Sequence, residues 1–258
     1  MAFIDNLLDR LGHVIAARLE TPSSGYEPFM PSDPEALRRT LRPGDVLLVC
    51  GNQKLSSAIK YLTQSTWSHA ALYIGDILKA PANGAEAHTL IEADVRTGVI
   101  AVPLSKFALY NTRICRPIGL TAEEIDQVVQ FAVARIGHKY DLRHIIDLAR
   151  YLLPTPPVPV RWRRRMIALG SGEPTRAICS TLIAQAFQSV RYPILPCVER
   201  MSGHQRTGSE YSKEEILHIR HYSLFTPRDF DVSPYFQIVK PTIAAGFDPH
   251  TLRWAEKR

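Results

Sequence analysis

Cysteine is scarce in this chain, with four among 258 residues, at Cys50, Cys115, Cys179 and Cys197. They make no CxxC pair and no regular spacing, which argues against a zinc cage and against a disulfide framework. Long apolar runs are missing too, and no window reaches the length that a membrane-spanning helix needs. The opening stretch MAFIDNLLDRLGHVIAARLE is interrupted by charges throughout, unlike the apolar core of a secretory signal. These absences predict a reducing, cytoplasmic setting. No repeat, low-complexity tract, RRM, KH or helix-turn-helix signature stands out, so nucleic acid is not an expected partner.

The remainder is ordinary for a globular protein: 45% hydrophobic and 22% charged residues, enough for a substantial core. The formal net charge of +6 is a mild pull toward anionic partners.

Patterning divides the chain. Residues 1–20 read as an amphipathic helix, with Ile4, Leu7, Leu8, Leu11, Val14 and Ile15 at helical spacing. Such a helix packs on its own domain, joins a second copy in a homo-oligomer, or lies peripherally on a membrane. Residues 21–40, rich in Pro and Ser, read as a linker. The main domain is expected over 41–245, with an Arg-rich insert at 154–172 and a tail at 246–258. In the insert, Arg161, Arg163, Arg164 and Arg165 surround Trp162. They suit an anionic membrane surface, or else a solvated loop with one anchoring aromatic.

Strands are expected in VLLVCG, SHAALYIGD, HTLIEADV, GVIAVPL, TRICRPIG and YFQIVK. Helices are expected around LSSAIKYLTQ, HIIDLARYLL, CSTLIAQAFQSV and KEEILHIR, with a loop holding Cys197. The clearest helix is TAEEIDQVVQFAVARIG, where Thr121 and Glu124 form a capping box and Gly137 is the stop. Its apolar face runs Ile125, Val128, Val129, Ala132, Val133, Ile136. Strands first and helices later predict an α+β fold with a mostly antiparallel sheet.

Cys50 and Cys115 sit in strand-like runs, where a small buried hydrophobe is the plain reading. Cys179 differs. It opens the amphipathic run CSTLIAQAF just after the turn-rich GSGEPT, and the start of a helix favours thiolate over thiol. A nucleophile there needs a base. His69 is the best placed of nine histidines, because strand alternation puts His69, Ala71 and Tyr73 on one face and Ala70, Leu72 and Ile74 on the other. Glu92 in the next strand suits the acid that orients the ring. Spacing alone does not establish that the three meet. His218 and His221, three apart on the expected KEEILHIR helix, fit either a solvated face or metal ligation, and no further ligands stand at suitable spacing.

Taken together, RPGDVLLVCG, SAIKYLTQSTWSHAALYIG, LIEADVRTGV, RICRP, GHKYD and ICSTLIAQAF resemble the NlpC-type papain-like hydrolases in their circularly permuted form, the YiiX-like group. Lecithin–retinol acyltransferase is also related to that group. In ordinary NlpC enzymes the cysteine helix precedes the histidine strand, whereas here it comes last. The resemblance implies a permuted papain-like fold with the nucleophile at the N-terminus of a helix packed on the sheet. It implies Cys179 as nucleophile, His69 as base and Glu92 as the orienting acid. Tyr140 of GHKYD matches a tyrosine near the cysteine that lines the site or helps hold the oxyanion; its plainer role is a packed aromatic. Expected substrates are peptide, amide, isopeptide or acyl-lipid bonds, by hydrolysis or acyl transfer, with no cofactor and no metal. A non-catalytic binding module using the basic insert is the alternative.

Overall fold

The computed structural model describes residues 33–79, 81, 84–94, 97–139, 178–200, 215–218 and 220–251. The expected helices over 1–20 and HIIDLARYLL, the Arg-rich insert and Tyr140 lie outside the described residues.

Strand β1 (Val46–Cys50) is the middle of the fold. All five of its residues are buried, so it reads as an unbroken apolar run, as a strand covered on both faces must. β2 (His69–Tyr73) and β5 (Asn111–Pro117) flank it. β3 (His88–Asp94) and β4 (Gly98–Pro103) extend the sheet beyond β2, and β8 (Phe236–Val239) extends it beyond β5. The order is β4-β3-β2-β1-β5-β8 with every neighbour antiparallel, so the fold class is α+β.

Alternation sorts side chains to the two faces. Val46, Leu48, Ala70 and Leu72 point to one, where α3 (Ala122–Val133) and α4 (Ile178–Ser189) cover them with Val128, Val129, Leu182, Ile183 and Phe187. Leu47, Val49, Ala71 and Tyr73 point to the other. There they meet Leu37 of α1 (Pro34–Thr40) and Leu104 and Phe107 of a 3-10 turn, Leu104–Phe107. The division of β2 is the one its sequence period predicts. α2 (Lys54–Thr63) follows β1, and α5 (Pro227–Val232) precedes β8.

Four local expectations change. Residues 34–40, expected as linker, form α1: Asp33 accepts from the Glu35 N–H, Pro34 opens the helix, and Leu37 is buried. The Pro that suggested a linker is here a helix-start residue. The capping box on α3 forms as expected, but the helix ends at Val133. Arg135 and Ile136 then bond three residues back, and that tighter winding turns Ile136 off the apolar face into solvent. KEEILHIR is not a helix: Glu215–His218 is strand β7, paired antiparallel with β6 (Cys197–Arg200). Cys197 is therefore in a strand, opposite His218, rather than in a loop. Its three apolar residues, Ile216, Leu217 and Ile219, are too few for a helical face to outweigh pairing. His218 and His221 consequently do not share a helix.

Gly98 shows why a glycine opens β4. Its φ is +79°, and a Cβ would press on the His138 carbonyl, which accepts from the Val99 N–H. On the second face Asp45, 1% exposed, accepts from Arg116 Nε and Nη2 at 2.8 and 2.7 Å and from the Arg42 N–H at 2.8 Å. Arg116 Nη2 also donates to the Thr40 carbonyl at 2.7 Å, tying α1 to β5. Asp45→Ala leaves that guanidinium uncompensated and is expected to cost about 3 kcal/mol in urea unfolding, the low end for a broken buried pair because Arg116 keeps some water.

Candidate active site

The β2–β3 ladder pairs Leu72 with Ile91 and Tyr73 with Leu90. Continuing that register sets Ala71 against Glu92, which makes His69 and Glu92 diagonal neighbours on one face, within reach for long side chains. His69 Nε2 lies 2.7 Å from Glu92 Oε2. Glu92 is 2% exposed and His69 24%. The second oxygen of Glu92 accepts from Lys106 Nζ, carried by the 3-10 turn after β4. Phe107, next in that turn, sets its ring 6.0 Å from the imidazole, centroid to centroid.

Among the described residues the β2–β3 pairing stops at Leu72 and Ile91, while β3 stays paired with β4 as far as Asp94. The strands part at the His69 end, and the Ala70 N–H there turns to the sulfur of Cys179. Cys179 is the second residue of α4 and is buried, with Ser180 Oγ 3.9 Å from its sulfur. Its side chain hydrogen-bonds His69. With Nε2 committed to Glu92, Nδ1 is the nitrogen left for the sulfur. The three residues singled out in the sequence are thus brought into one hydrogen-bonded line, Cys179–His69–Glu92.

Electrostatics follow from that line. Burial pushes the Cys179 thiol up, but the charge and hydrogen bond of His69, with the Ala70 N–H and Ser180, overcome it and hold the thiol below its ordinary value. Burial pushes His69 down, and the thiolate and Glu92 outweigh it, raising the imidazole to about 10. Burial likewise opposes the Glu92 charge, yet His69 and Lys106 bring its carboxyl down to about 2. Both shifts favour the charged form of the pair, thiolate with imidazolium. Linkage gives each shift a sign. Glu92 contributes stability that is full above its ordinary 4.5 and is lost as pH falls through about 2. His69 contributes stability that is full below 6.5 and is lost as pH rises through about 10.

Lys106 is the member that sequence reasoning missed. The available signal was a cation between Leu104 and Phe107, both buried, in a turn too short to show a period. Lys106→Met is expected to raise the Glu92 carboxyl from about 2 toward its ordinary range, and Lys106→Arg to hold it down. Carboxyl carbon NMR across the acid range measures this, and an unmoved Glu92 in Lys106→Met contradicts the contact. Among the described residues no group of three or more His, Cys, Asp or Glu gathers in a way that could hold a metal ion.

Residues 40–151 match the family described as permuted papain-like amidase enzymes, YaeF/YiiX, C92 family. The probable lipoprotein peptidase YaeF of Escherichia coli (strain K12) is 24% identical over 170 residues, covering 60% of this chain and 58% of that protein. The chain thus spans less than two thirds of that relative's length. A crystal structure titled metalloprotein yiiX, from Escherichia coli O157:H7, aligns with a TM-score of 0.44 and 15% identity over 77% of this chain and 96% of that one. Over residues 40–151 this chain is therefore similar to the permuted papain-like YaeF/YiiX group.

Proposed function

We propose that this protein is a thiol hydrolase that cleaves an amide bond through a thioester on Cys179, with His69 as base and Glu92 orienting it. One observation carries this reading: the hydrogen-bonded line in which a buried thiol, an imidazole and a buried carboxylate meet at a helix start. The amidase description of the matched family supports the choice of bond.

The Cys179 thiolate attacks the substrate carbonyl, forming a C–S bond and moving an electron pair onto oxygen. The backbone N–H of Cys179, at the described start of α4, suits that oxyanion. As the C–N bond breaks, the imidazolium gives its proton to the leaving amine. Neutral His69 then takes a proton from water, and the resulting hydroxide adds to the thioester. The C–S bond breaks, the acid leaves, and the thiolate–imidazolium pair is restored. Glu92, ionised throughout, keeps the Nε2 proton in place so that Nδ1 faces the sulfur. Lys106 holds Glu92 from the other side.

The pH profile follows. Below the depressed thiol pKa the nucleophile is protonated; above about 10 the imidazolium that activates it is lost. Site-resolved alkylation of Cys179 by iodoacetamide is therefore expected to show an apparent thiol pKa below 9.0 in the natural protein. In His69→Ala that value moves upward, because only the Ala70 N–H and Ser180 then oppose burial, and turnover of amide substrates stops. Glu92→Gln lowers the alkaline limb from about 10. An unchanged alkylation profile in His69→Ala overturns the assignment.

A further inference from the structure

A second concavity lies on the β1/β5 side of the first sheet face. It encloses about 560 Å³ and is lined by Lys60, Trp67, Arg113, Arg228, Asp231 and the turn at 64–66. Three cations face one carboxylate there. Arg113 belongs to a sheet interior by position, since alternation puts Ile114 on the second face and Arg113 on the first. Such a charge is costly to hold unless it is paired or used.

It is only partly paired. Arg113 Nη1 donates to Asp231 Oδ1 at 2.6 Å, and the guanidinium lies 4.9 Å over the Trp67 ring. Trp67 Nε1 donates to the other Asp231 oxygen at 3.1 Å, so both oxygens of that carboxylate are spent. Arg228 Nη1 donates to the Thr63 carbonyl at 3.0 Å, and Lys60 Nζ to the Gly51 carbonyl at 3.0 Å. The remaining N–H groups of Arg113 and Arg228 meet no other protein acceptor among the described residues. Two oriented guanidinium forks over one cleft, with an ammonium beside them, match the planar oxygens of carboxylate or phosphate.

We propose that this cleft is an oxyanion-binding subsite, taking a carboxylate or phosphate group carried by the small acyl substrate of Cys179. The wall residue Trp67 is two positions from His69, and Ser68 between them accepts from the Gly51 N–H at 2.9 Å, fixing the segment that joins cleft and centre. The assignment to substrate rests on the hydrolase reading; the binding of an oxyanion does not.

The test starts from the full chain carrying Cys179→Ala, titrated by calorimetry at low ionic strength with inorganic phosphate and, separately, with succinate. Saturable one-to-one binding is expected for at least one of them, and the better ligand tells phosphate from carboxylate. Removing one cation by Arg228→Met or Lys60→Met weakens it about tenfold, as added salt also does, while the exposed Arg39→Met leaves it unchanged. Melting curves confirm that the variants fold. Binding of neither ion, or binding untouched by both cleft substitutions, overturns the subsite. In the protein with Cys179 intact, a nitrophenyl ester bearing a terminal carboxylate is expected to show a lower KM than an uncharged ester of equal length. Arg228→Met removes that difference without changing the alkylation profile of Cys179. Equal KM values overturn the link to substrate. An unreactive Cys179 that turns over neither ester sinks the hydrolase reading, while the phosphate and succinate titrations still decide the cleft.

Discussion

A carboxylate with almost no access to water must have its charge met by donors from the protein, and Glu92 is that carboxylate here. Its two oxygens are answered from different places: one by His69 at the start of β2, the other by Lys106 in the turn that follows β4. Both answers depend on the register of three neighbouring strands. A slip of one residue between β2 and β3 would send Glu92 to the opposite face, among Ala70 and Leu72, with neither cation in reach. The sheet geometry and the ionisation of the candidate site are therefore one constraint.

The same strands explain how a helix on one face reaches a histidine whose strand neighbours lie on the other. Where β2 and β3 stop pairing, the sheet opens, and the first turn of α4 brings the sulfur to the gap. The Ala70 N–H, with no strand partner at that point, is spent on Cys179 instead. A continuous ladder would have consumed that donor and closed the approach. The interrupted pairing at the His69 end is thus part of the site and not a fraying edge.

What was legible in the sequence is what depends on local period. The alternation in SHAALYIG set His69 apart from Ala70 and Leu72, and the capping box marked the start of α3. What escaped depends on contacts between distant segments. Lys106 stands in a four-residue turn with no period to read, and its partner is fixed only by the β3–β4 register. The Trp67–Asp231 bond spans 164 positions, and nothing near either residue announces it. α1 was hidden because Pro and Asp serve both linkers and helix starts. β7 was hidden because a charged stretch with three apolar residues among eight has almost no intrinsic preference, so pairing with β6 decides its form.

β5 carries two arginines on opposite faces, and the contrast between them separates support from function. Arg116 is 16% exposed and commits Nε and Nη2 to Asp45 and the Thr40 carbonyl, a closed set of bonds that ties α1 to the sheet. Arg113 is 36% exposed, makes one ion pair, and is laid flat on Trp67 beside a cleft. A structural arginine in this strand could have been closed as Arg116 is. Asp231 instead divides its oxygens between Arg113 and the indole of Trp67, an arrangement that orients the guanidinium without exhausting its donors. Pre-set, partly unused donors are what recognition of a planar oxyanion requires, because the ordering cost is met before the ligand arrives. The strand that helps hold the fold together on one face thus holds, on the other, a charge kept available.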